Sequence, residues 1–145
     1  MRVVVQRVSS AQVVVDNRVV GKISHGLMLL IGITHNDTPE TISWMAQKIS
    51  KLRIFNDEND KMNLSIKDTG GEILAVSQFT LYGEAEKSNR PSFTTAAKPE
   101  LANALYEQFK QELTKLDIKV EAGIFGADMQ VALTNDGPVT IILEK

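Results

Sequence analysis

Two apolar runs, residues 27–33 and residues 73–76, place the strongest limit on the folds that this chain can adopt. Neither run alternates with polar residues, a pattern typical of strands that are covered on both faces of a sheet. The second run is followed by Ser77, Gln78 and Thr80, whose polar groups need partners. An unpaired buried hydroxyl or amide costs about 1–3 kcal/mol. These side chains therefore either form hydrogen bonds within the fold, which is the commoner arrangement, or face a cleft that takes a ligand.

Further strands and two helices are predicted around these runs. Segments rich in β-branched residues predict strands at residues 2–8, 11–15, 18–23, 63–66, 117–122, 129–133 and 139–143. A capping side chain, a proline and an early acid predict a helix that begins near Asp37, and a turn signal predicts its end near Phe55. A second helix follows Pro99. Each helix has an apolar stripe, formed by Ile42, Met45, Ile49 and Leu52 in the first and by Leu101, Leu105, Phe109, Leu113 and Leu116 in the second.

The composition excludes several kinds of site. Hydrophobic residues make up 43% of the chain and charged residues 23%, so we expect one globular domain spanning residues 1–145. No apolar run reaches about 18 residues and none resembles a signal peptide, which predicts a cytoplasmic protein with no membrane span. Without cysteine, and with two histidines, the chain offers no zinc–thiolate or histidine-rich metal site, so neither a metal nor another cofactor is expected. The net charge of −2 argues against strong nonspecific nucleic-acid binding but allows a local basic patch.

Three loops each allow more than one interpretation. Lys87 and Arg90 could meet phosphate, although a solvated loop anchored to the core by Phe93 is favoured. Residues 123–128 contain two glycines that suit either a flat ligand or a simple bend between strands. Residues 135–138 interrupt the strand pattern, and sequence alone does not decide the isomer of the Gly-Pro bond.

Taken together, motifs spread along the whole chain resemble the bacterial and eukaryotic D-aminoacyl-tRNA deacylases. The two signature motifs are Ser77-Gln78-Phe79-Thr80-Leu81 and Asn135-Asp136-Gly137-Pro138-Val139-Thr140. Further matching segments occur in order at residues 6–8, 61–64, 90–93 and 125–131. Any one of these motifs is weak alone, but their joint order carries the resemblance.

The resemblance implies an α+β fold with a β-rich, barrel-like sheet and a homodimeric editing enzyme. Such an enzyme hydrolyses the ester that joins a D-amino acid, or glycine mischarged on tRNA-Ala, to the terminal adenosine of tRNA. Gly137-Pro138 would be a cis dipeptide that enters the active site of the other subunit and directs its carbonyl oxygens at the substrate's α-amino group. An L side chain would then have no space, so L-aminoacyl-tRNA is rejected.

The same resemblance assigns roles to individual residues. Ser77, Gln78, Phe79 and Thr80 would form the catalytic pocket. Thr80 matches a position once considered a nucleophile or base, but no histidine or lysine in a matching motif could activate it. We therefore expect water to attack with help from the ribose 2′-hydroxyl, while main-chain N–H groups of Phe79 and Thr80 stabilise the oxyanion.

The remaining assignments concern the tRNA end and the Gly-Pro element. Phe125, Gly126, Ala127 and Met129 would hold the terminal adenosine. Arg7 would brace Gly137-Pro138, although a structural salt bridge or a capping role suits it equally. Tyr82 departs from the small residues common at its position, and it could crowd the rim of the pocket.

Three other functions are compatible with parts of the sequence. A related editing enzyme with a trans Gly-Pro would remove small L-residues, but residues 78–80 and 90–93 favour the D-specific branch. A noncatalytic module that binds tRNA ends would need phosphate contacts, and the acidic composition disfavours it. A small-molecule esterase using Thr80 or Ser77 lacks a visible base.

Overall fold

The computed structural model describes residues 1–145 and has an α+β architecture, as predicted. A single 3-10 turn, Phe79–Tyr82, follows the sixth strand. The strands are β1 (Arg2–Val15), β2 (Arg18–Ile23), β3 (Gly26–Gly32), β4 (Phe55–Asn56), β5 (Met62–Leu64), β6 (Glu72–Ser77), β7 (Val120–Ala122) and β8 (Gln130–Glu144). The helices are α1 (Pro39–Ser50), α2 (Ile66–Thr69) and α3 (Pro99–Lys115).

The main sheet has the order β2-β1-β3-β6-β7, and β8 pairs with the opposite edge of β1. The β3–β6 and β6–β7 pairs are parallel, while β1 pairs antiparallel with β2, β3 and β8. The two ends of this order approach each other closely, since a Cβ on Gly21 of β2 would lie 2.6 Å from the Ala122 carbonyl oxygen of β7. The sheet is therefore nearly closed, which confirms the barrel-like fold class. The β4–β5 hairpin stands apart as a two-stranded sheet.

Both long helices place their apolar stripes on this sheet. Thr38 caps α1 and Pro39 occupies its first turn, as the sequence predicts. The main core includes Ile42, Met45 and Ile49 from α1 and Leu105, Phe109 and Leu113 from α3, together with the inner face of β1, β3 and β6. Leu101, predicted to belong to the α3 stripe, is 39% exposed instead. No helix is long and apolar enough to cross a membrane.

Several boundaries differ from the sequence predictions. The strand predicted at residues 117–122 begins only at Val120, since Asp117 has a φ of +61° that a strand does not adopt. Residues 2–15 form one strand rather than two, since β8 pairs along nearly its whole length. Likewise the two last predicted strands are one strand, β8, which contains a bulge. Helix α1 ends at Ser50 rather than near Phe55, which lies in β4. The short segment before β6 contains a one-turn helix, α2, because Ser65 caps it and Gly70 ends it in a left-handed conformation.

Candidate functional site

A cavity of about 560 Å³ lies at the carboxyl ends of the parallel strands β3 and β6. The register pairs Ile31 with Ser77, and the Gln78 N–H donates to the Ile31 carbonyl at 2.8 Å, so these strand ends form one wall. Carboxyl ends of parallel strands are a common position for ligand sites in sheets of this kind. Twelve of the 16 lining residues are hydrophobic, which gives the cavity a mostly apolar surface.

A pinned loop supplies the second wall. Thr34, just beyond β3, donates its hydroxyl to the Thr95 carbonyl at 2.6 Å, and the Ala97 N–H donates to the Ile33 carbonyl at 2.9 Å. These bonds hold Phe93, which lines the cavity, close to Phe79. The two rings meet edge to face with centroids 5.1 Å apart, and Phe79 is 56% exposed. An exposed aromatic pair at a cavity is suited to contact with a flat, partly apolar ligand.

The loop between β7 and β8 forms the opposite side and contains the four residues predicted to hold adenosine. Phe125, Gly126, Ala127 and Met129 all line the cavity. The Phe125 ring lies 6.0 Å from the ring of buried Tyr106, whose hydroxyl donates to the Ala75 carbonyl of β6 at 2.9 Å. Gly126 has φ +75°, and a Cβ there would meet nothing within 4 Å. The loop therefore offers close main-chain approach beside an aromatic face.

The cavity contains no side chain that titrates near neutral pH. Its polar lining groups are the Ser77 hydroxyl and the Gln78 amide. Thr80 is exposed in the 3-10 turn and does not line the cavity, and its hydroxyl accepts a hydrogen bond from the Gln78 amide at 2.5 Å. An amide donor cannot act as a general base for that hydroxyl. The geometry thus offers hydrogen bonding and shape, with no side-chain acid–base pair.

Tyr82, which the sequence placed at the pocket rim, lies outside the lining. The Arg2 guanidinium carbon is 5.1 Å from the centre of its ring, and a Cβ on Gly32 would meet the ring at 3.2 Å. Burial, with a further contribution from the Asp37 charge, raises the pKa of Tyr82 to about 12. Tyr82 therefore stays protonated at neutral pH and does not narrow the cavity.

Gly137 and Pro138 occupy an exposed bulge of β8. Gln6 of β1 pairs with Thr140 and Val8 pairs with Asn135. Residues 136–139 of β8 therefore lie opposite a single residue of β1, Arg7, and form the bulge. The Asn135 amide closes the base of the bulge, since it donates to the Arg7 and Val139 carbonyls, each at 3.0 Å. The Gly137-Pro138 peptide bond is cis.

Arg7 is 7% exposed and lies directly against this bulge. Its guanidinium donates to the Ile54 carbonyl at 2.7 Å and to the Asp136 carbonyl at 3.3 Å, and its Nε lies 3.2 Å from the Asp136 carboxylate. A Cβ on Gly137 would lie 2.9 Å from the Arg7 Nη2 atom. Arg7 thus forms a salt bridge and contacts the bulge, which are two of the three roles that the sequence left open.

The bulge and the cavity lie at opposite ends of β3. Arg7, beneath the bulge, pairs with Leu27 at the start of that strand, whereas Ile31 lines the cavity at its end. Four residues of a strand span about 13 Å. A single chain therefore brings together the predicted reaction strand and adenosine loop but leaves Gly137 and Pro138 outside the cavity.

Several residues that line the cavity were not among the predicted site residues, because most of them are apolar and carry no polar group that could mark a site. Phe93 was predicted only as an anchor of its loop to the core. Its position within a segment of the family motif was the one signal that could have placed it here. The others are Ile31, Ile33, Val76, Ala96, Ala97, Pro99, Ala102 and Val131.

Comparisons with known proteins agree on one family. The model of the D-Tyr-tRNA(Tyr) deacylase family matches residues 4–144. A D-aminoacyl-tRNA deacylase of Exiguobacterium sibiricum is 57% identical over 145 residues, covering 100% of both chains. A D-aminoacyl-tRNA deacylase of Clostridioides difficile is 56% identical and covers 100% of this chain and 97% of its own.

Solved structures match the fold over nearly the full length. The c-Myc DNA unwinding element binding protein superposes with a TM-score of 0.94 at 42% identity, covering 100% of this chain and 99% of its own. A probable eukaryotic D-amino acid tRNA deacylase superposes with a TM-score of 0.82 at 18% identity, covering 98% and 97%. The latter likeness concerns the fold alone.

Proposed function

Since this chain belongs to the D-Tyr-tRNA(Tyr) deacylase family, we propose that the cavity at the ends of β3 and β6 is its active site and receives the 3′ end of an aminoacylated tRNA. The chain is a hydrolase that cleaves the ester of D-aminoacyl-tRNA and releases the free D-amino acid and tRNA. The observation that carries the site assignment is the lining itself. One cavity is lined by the polar end of β6 and by Phe125, Gly126, Ala127 and Met129, and none of its lining side chains is charged.

The lining favours hydrolysis assisted by the RNA. In this proposal a water oxygen bonds to the ester carbonyl carbon, the bond to the ribose 3′-oxygen breaks, and that oxygen takes up a proton through the neighbouring 2′-hydroxyl. Main-chain N–H groups of Phe79 and Thr80 stabilise the oxyanion, because the first N–H groups of a 3-10 turn have no partner inside it. Ser77 and Gln78 orient the ester.

The adenosine end occupies the loop side of the cavity. Phe125 provides an aromatic face supported from behind by Tyr106, and Met129 provides a polarisable sulfur. Gly126 permits close approach of the base to the main chain, since no side chain fills the space around it. Base–aromatic stacking of this kind contributes about 1–3 kcal/mol.

Chiral selection comes from a second copy of the chain. The bulge with Gly137 and Pro138 projects from β8 and is held from below by Arg7, but it lies about 13 Å along β3 from the cavity of its own chain. The outer edge of β8 pairs with no strand, and Ile142 on this strand is 65% exposed. A long unpaired edge with exposed apolar residues suits an interface. A homodimer therefore places each bulge in the partner's cavity, where it leaves no room for an L side chain but admits D-residues and glycine.

Single-turnover deacylation tests the activity. D-Tyr-tRNA and glycyl-tRNA should be discharged rapidly and L-Tyr-tRNA spared. D-Tyr-tRNA that ends in 2′-deoxyadenosine should react at least about 100-fold more slowly if the 2′-hydroxyl assists. Protection of all three charged tRNAs would instead identify a noncatalytic module that binds tRNA ends, and equal loss of the D- and L-esters would refute chiral selection.

Mixed dimers test the cross-subunit arrangement. Ala127→Trp should fill the cavity, and Gly137→Ala should displace the bulge, because the new Cβ would clash with Arg7 at a φ of +118°. An equimolar mixture of the two inactive variants should recover about a quarter of the sites, since half of the dimers are mixed and each has one intact site. Gly70→Ala is the matched control, as it also has a positive φ, +64°, but open space around it. No recovery in the mixture would mean that the bulge acts within its own chain.

A further inference from the structure

A basic surface patch surrounds the single tryptophan of the chain, at the end of α1. Trp44, 40% exposed, lines a depression of about 410 Å³ together with Lys48, Lys51 and Arg53, and no acidic residue lines it. The Lys145 ammonium lies 5.3 Å from the centre of the Trp44 ring. We call these four cations and the tryptophan the α1 basic patch.

The cations of this patch are free of ion pairs within the chain. No carboxylate lies within salt-bridge distance of the patch lysines or of Arg53, which donates instead to the Asn63 carbonyl at 2.8 Å. Three lysines elsewhere on the surface, by contrast, form ion pairs with neighbouring carboxylates. These pairs are Lys110 with Glu107, Lys115 with Glu112, and Lys119 with Glu72. In a chain of net charge −2, the α1 basic patch is therefore a local concentration of uncompensated positive charge.

The position of the patch relates it to the bulge. Arg53 immediately precedes Ile54, whose carbonyl accepts the 2.7 Å hydrogen bond from Arg7, and Arg7 in turn holds Asp136 beside Gly137. Arg7 thus connects the segment that follows α1 to the bulge through hydrogen bonds to both. Neither the patch residues nor Gly137 and Pro138 line the chain's own cavity.

We propose that the α1 basic patch binds backbone phosphates of the substrate tRNA while the 3′ end of that tRNA occupies the partner subunit's cavity. This inference rests on the function proposed above, since only a bulge that enters the partner's cavity brings the patch beside it. Lys48, Lys51 and Arg53 provide the charge for phosphate contacts, and the exposed face of Trp44 contacts a ribose or base. In this proposal the partner's cavity binds the aminoacylated 3′ end, and the α1 basic patch increases the affinity for the remainder of the tRNA.

The test compares two double variants that remove the same charge. Lys48→Gln/Lys51→Gln removes two patch cations, and Lys22→Gln/Lys115→Gln removes two exposed cations elsewhere. For each, kcat/KM is measured on D-Tyr-tRNA and on a D-tyrosyl ester of the terminal CCA trinucleotide, over about 0.05 to 0.3 M potassium chloride. The patch variant should lose about tenfold in kcat/KM on D-Tyr-tRNA at about 0.1 M salt, with a salt slope smaller by about 1.8. Its kcat on D-Tyr-tRNA and its kcat/KM on the trinucleotide ester should match the unaltered protein.

Separate readouts distinguish failure of this inference from failure of the proposed function. Equal salt slopes for the two double variants, or an equal loss on the trinucleotide ester, would overturn the patch assignment. If the unaltered protein discharges neither substrate, the proposed function fails by itself. The patch is still tested in that case, because Trp44 fluorescence should change on titration with uncharged tRNA. No such change, or the same titration in both double variants, would overturn it.

Discussion

Replacement of Arg7 by methionine should both destabilise the fold and impair deacylation. Methionine retains much of the aliphatic packing of a side chain that is 7% exposed, but it removes the hydrogen bonds that the guanidinium donates to the bulge of residues 136–139 and to Ile54. The guanidinium donates to two main-chain carbonyls, of Ile54 and Asp136, and forms an ion pair with the Asp136 carboxylate. The substitution therefore affects the position of Gly137 without a direct change at the cavity.

The expected destabilisation follows from these contacts. Loss of the donor to the buried Ile54 carbonyl costs about 1–3 kcal/mol, and loss of the longer bond to the Asp136 carbonyl costs about 0.5–1 kcal/mol. The ion pair adds less than about 1 kcal/mol, because the Asp136 side chain is 55% exposed and solvent screens it. Together these give a loss of about 1.5–5 kcal/mol in the free energy of unfolding.

Urea denaturation and single-turnover kinetics measure the two effects separately. We expect the urea midpoint to fall, and the deacylation of D-Tyr-tRNA by folded enzyme to slow by at least about tenfold because the bulge loses its support. Asp136→Asn is the control, since it removes the ion pair and keeps both bonds to main-chain carbonyls. It should cost less than about 1 kcal/mol. A stability loss below about 0.5 kcal/mol for Arg7→Met, with normal deacylation, would refute the role given to Arg7.

Three further predictions concern Thr80, Phe125 and Glu72. Thr80→Ala should keep deacylation of D-Tyr-tRNA within about tenfold of the unaltered rate, because the hydroxyl has no base; a loss of several orders of magnitude in folded protein would restore a side-chain mechanism. Phe125→Ala should lower kcat/KM about 5- to 150-fold, because stacking with the terminal adenosine is lost. An unchanged kcat/KM would show that the adenine base does not bind at this loop. Hydrogen bonds from the Lys119 ammonium and the Ser24 N–H lower the pKa of Glu72 below its usual 4.5. The Glu72–Lys119 ion pair therefore stabilises the fold above about pH 4.5, and this stabilisation is lost as the pH falls through the pKa of Glu72 in the folded state. Urea midpoints between about pH 3 and 6 should therefore show a smaller acid-side loss for Glu72→Gln, and identical pH profiles would contradict this.

Local sequence signals predicted the elements whose causes are themselves local. Thr38 and Pro39 start α1 where the capping pattern indicated, and the two apolar runs became the buried parallel strands β3 and β6. The period of the α1 stripe identified Ile42 as a core residue. These features depend on contacts between residues close in sequence or on burial, which hydrophobic pattern reports directly.

Features set by distant contacts were not predictable in this way. Residues 130–144 appeared as two strands, because nothing near Asn135 reveals that its amide bonds to the Arg7 carbonyl, 128 residues earlier. The end of α1 was also mispredicted because of a distant contact. Ile54 lies beyond the helix, where its carbonyl accepts a hydrogen bond from Arg7. Phe93 joined the cavity through bonds between its loop and the segment after β3. The family resemblance indicated the relevant motifs, and the structure indicated which of them meet within one chain.

The lining of the cavity explains why a search for catalytic side chains would have failed here. The proposed site has no titratable side chain in its lining, so it gives no histidine, carboxylate or lysine pattern in the sequence, and in our proposal its selectivity comes from main-chain position and shape. It follows that substitutions should rank by how far they move the main chain. Gly137→Ala, which drives a Cβ into Arg7, should impair deacylation most, Phe125→Ala should impair it less, and Thr80→Ala least. The reverse order, measured by single-turnover rates on D-Tyr-tRNA, would show that a side chain performs the chemistry after all.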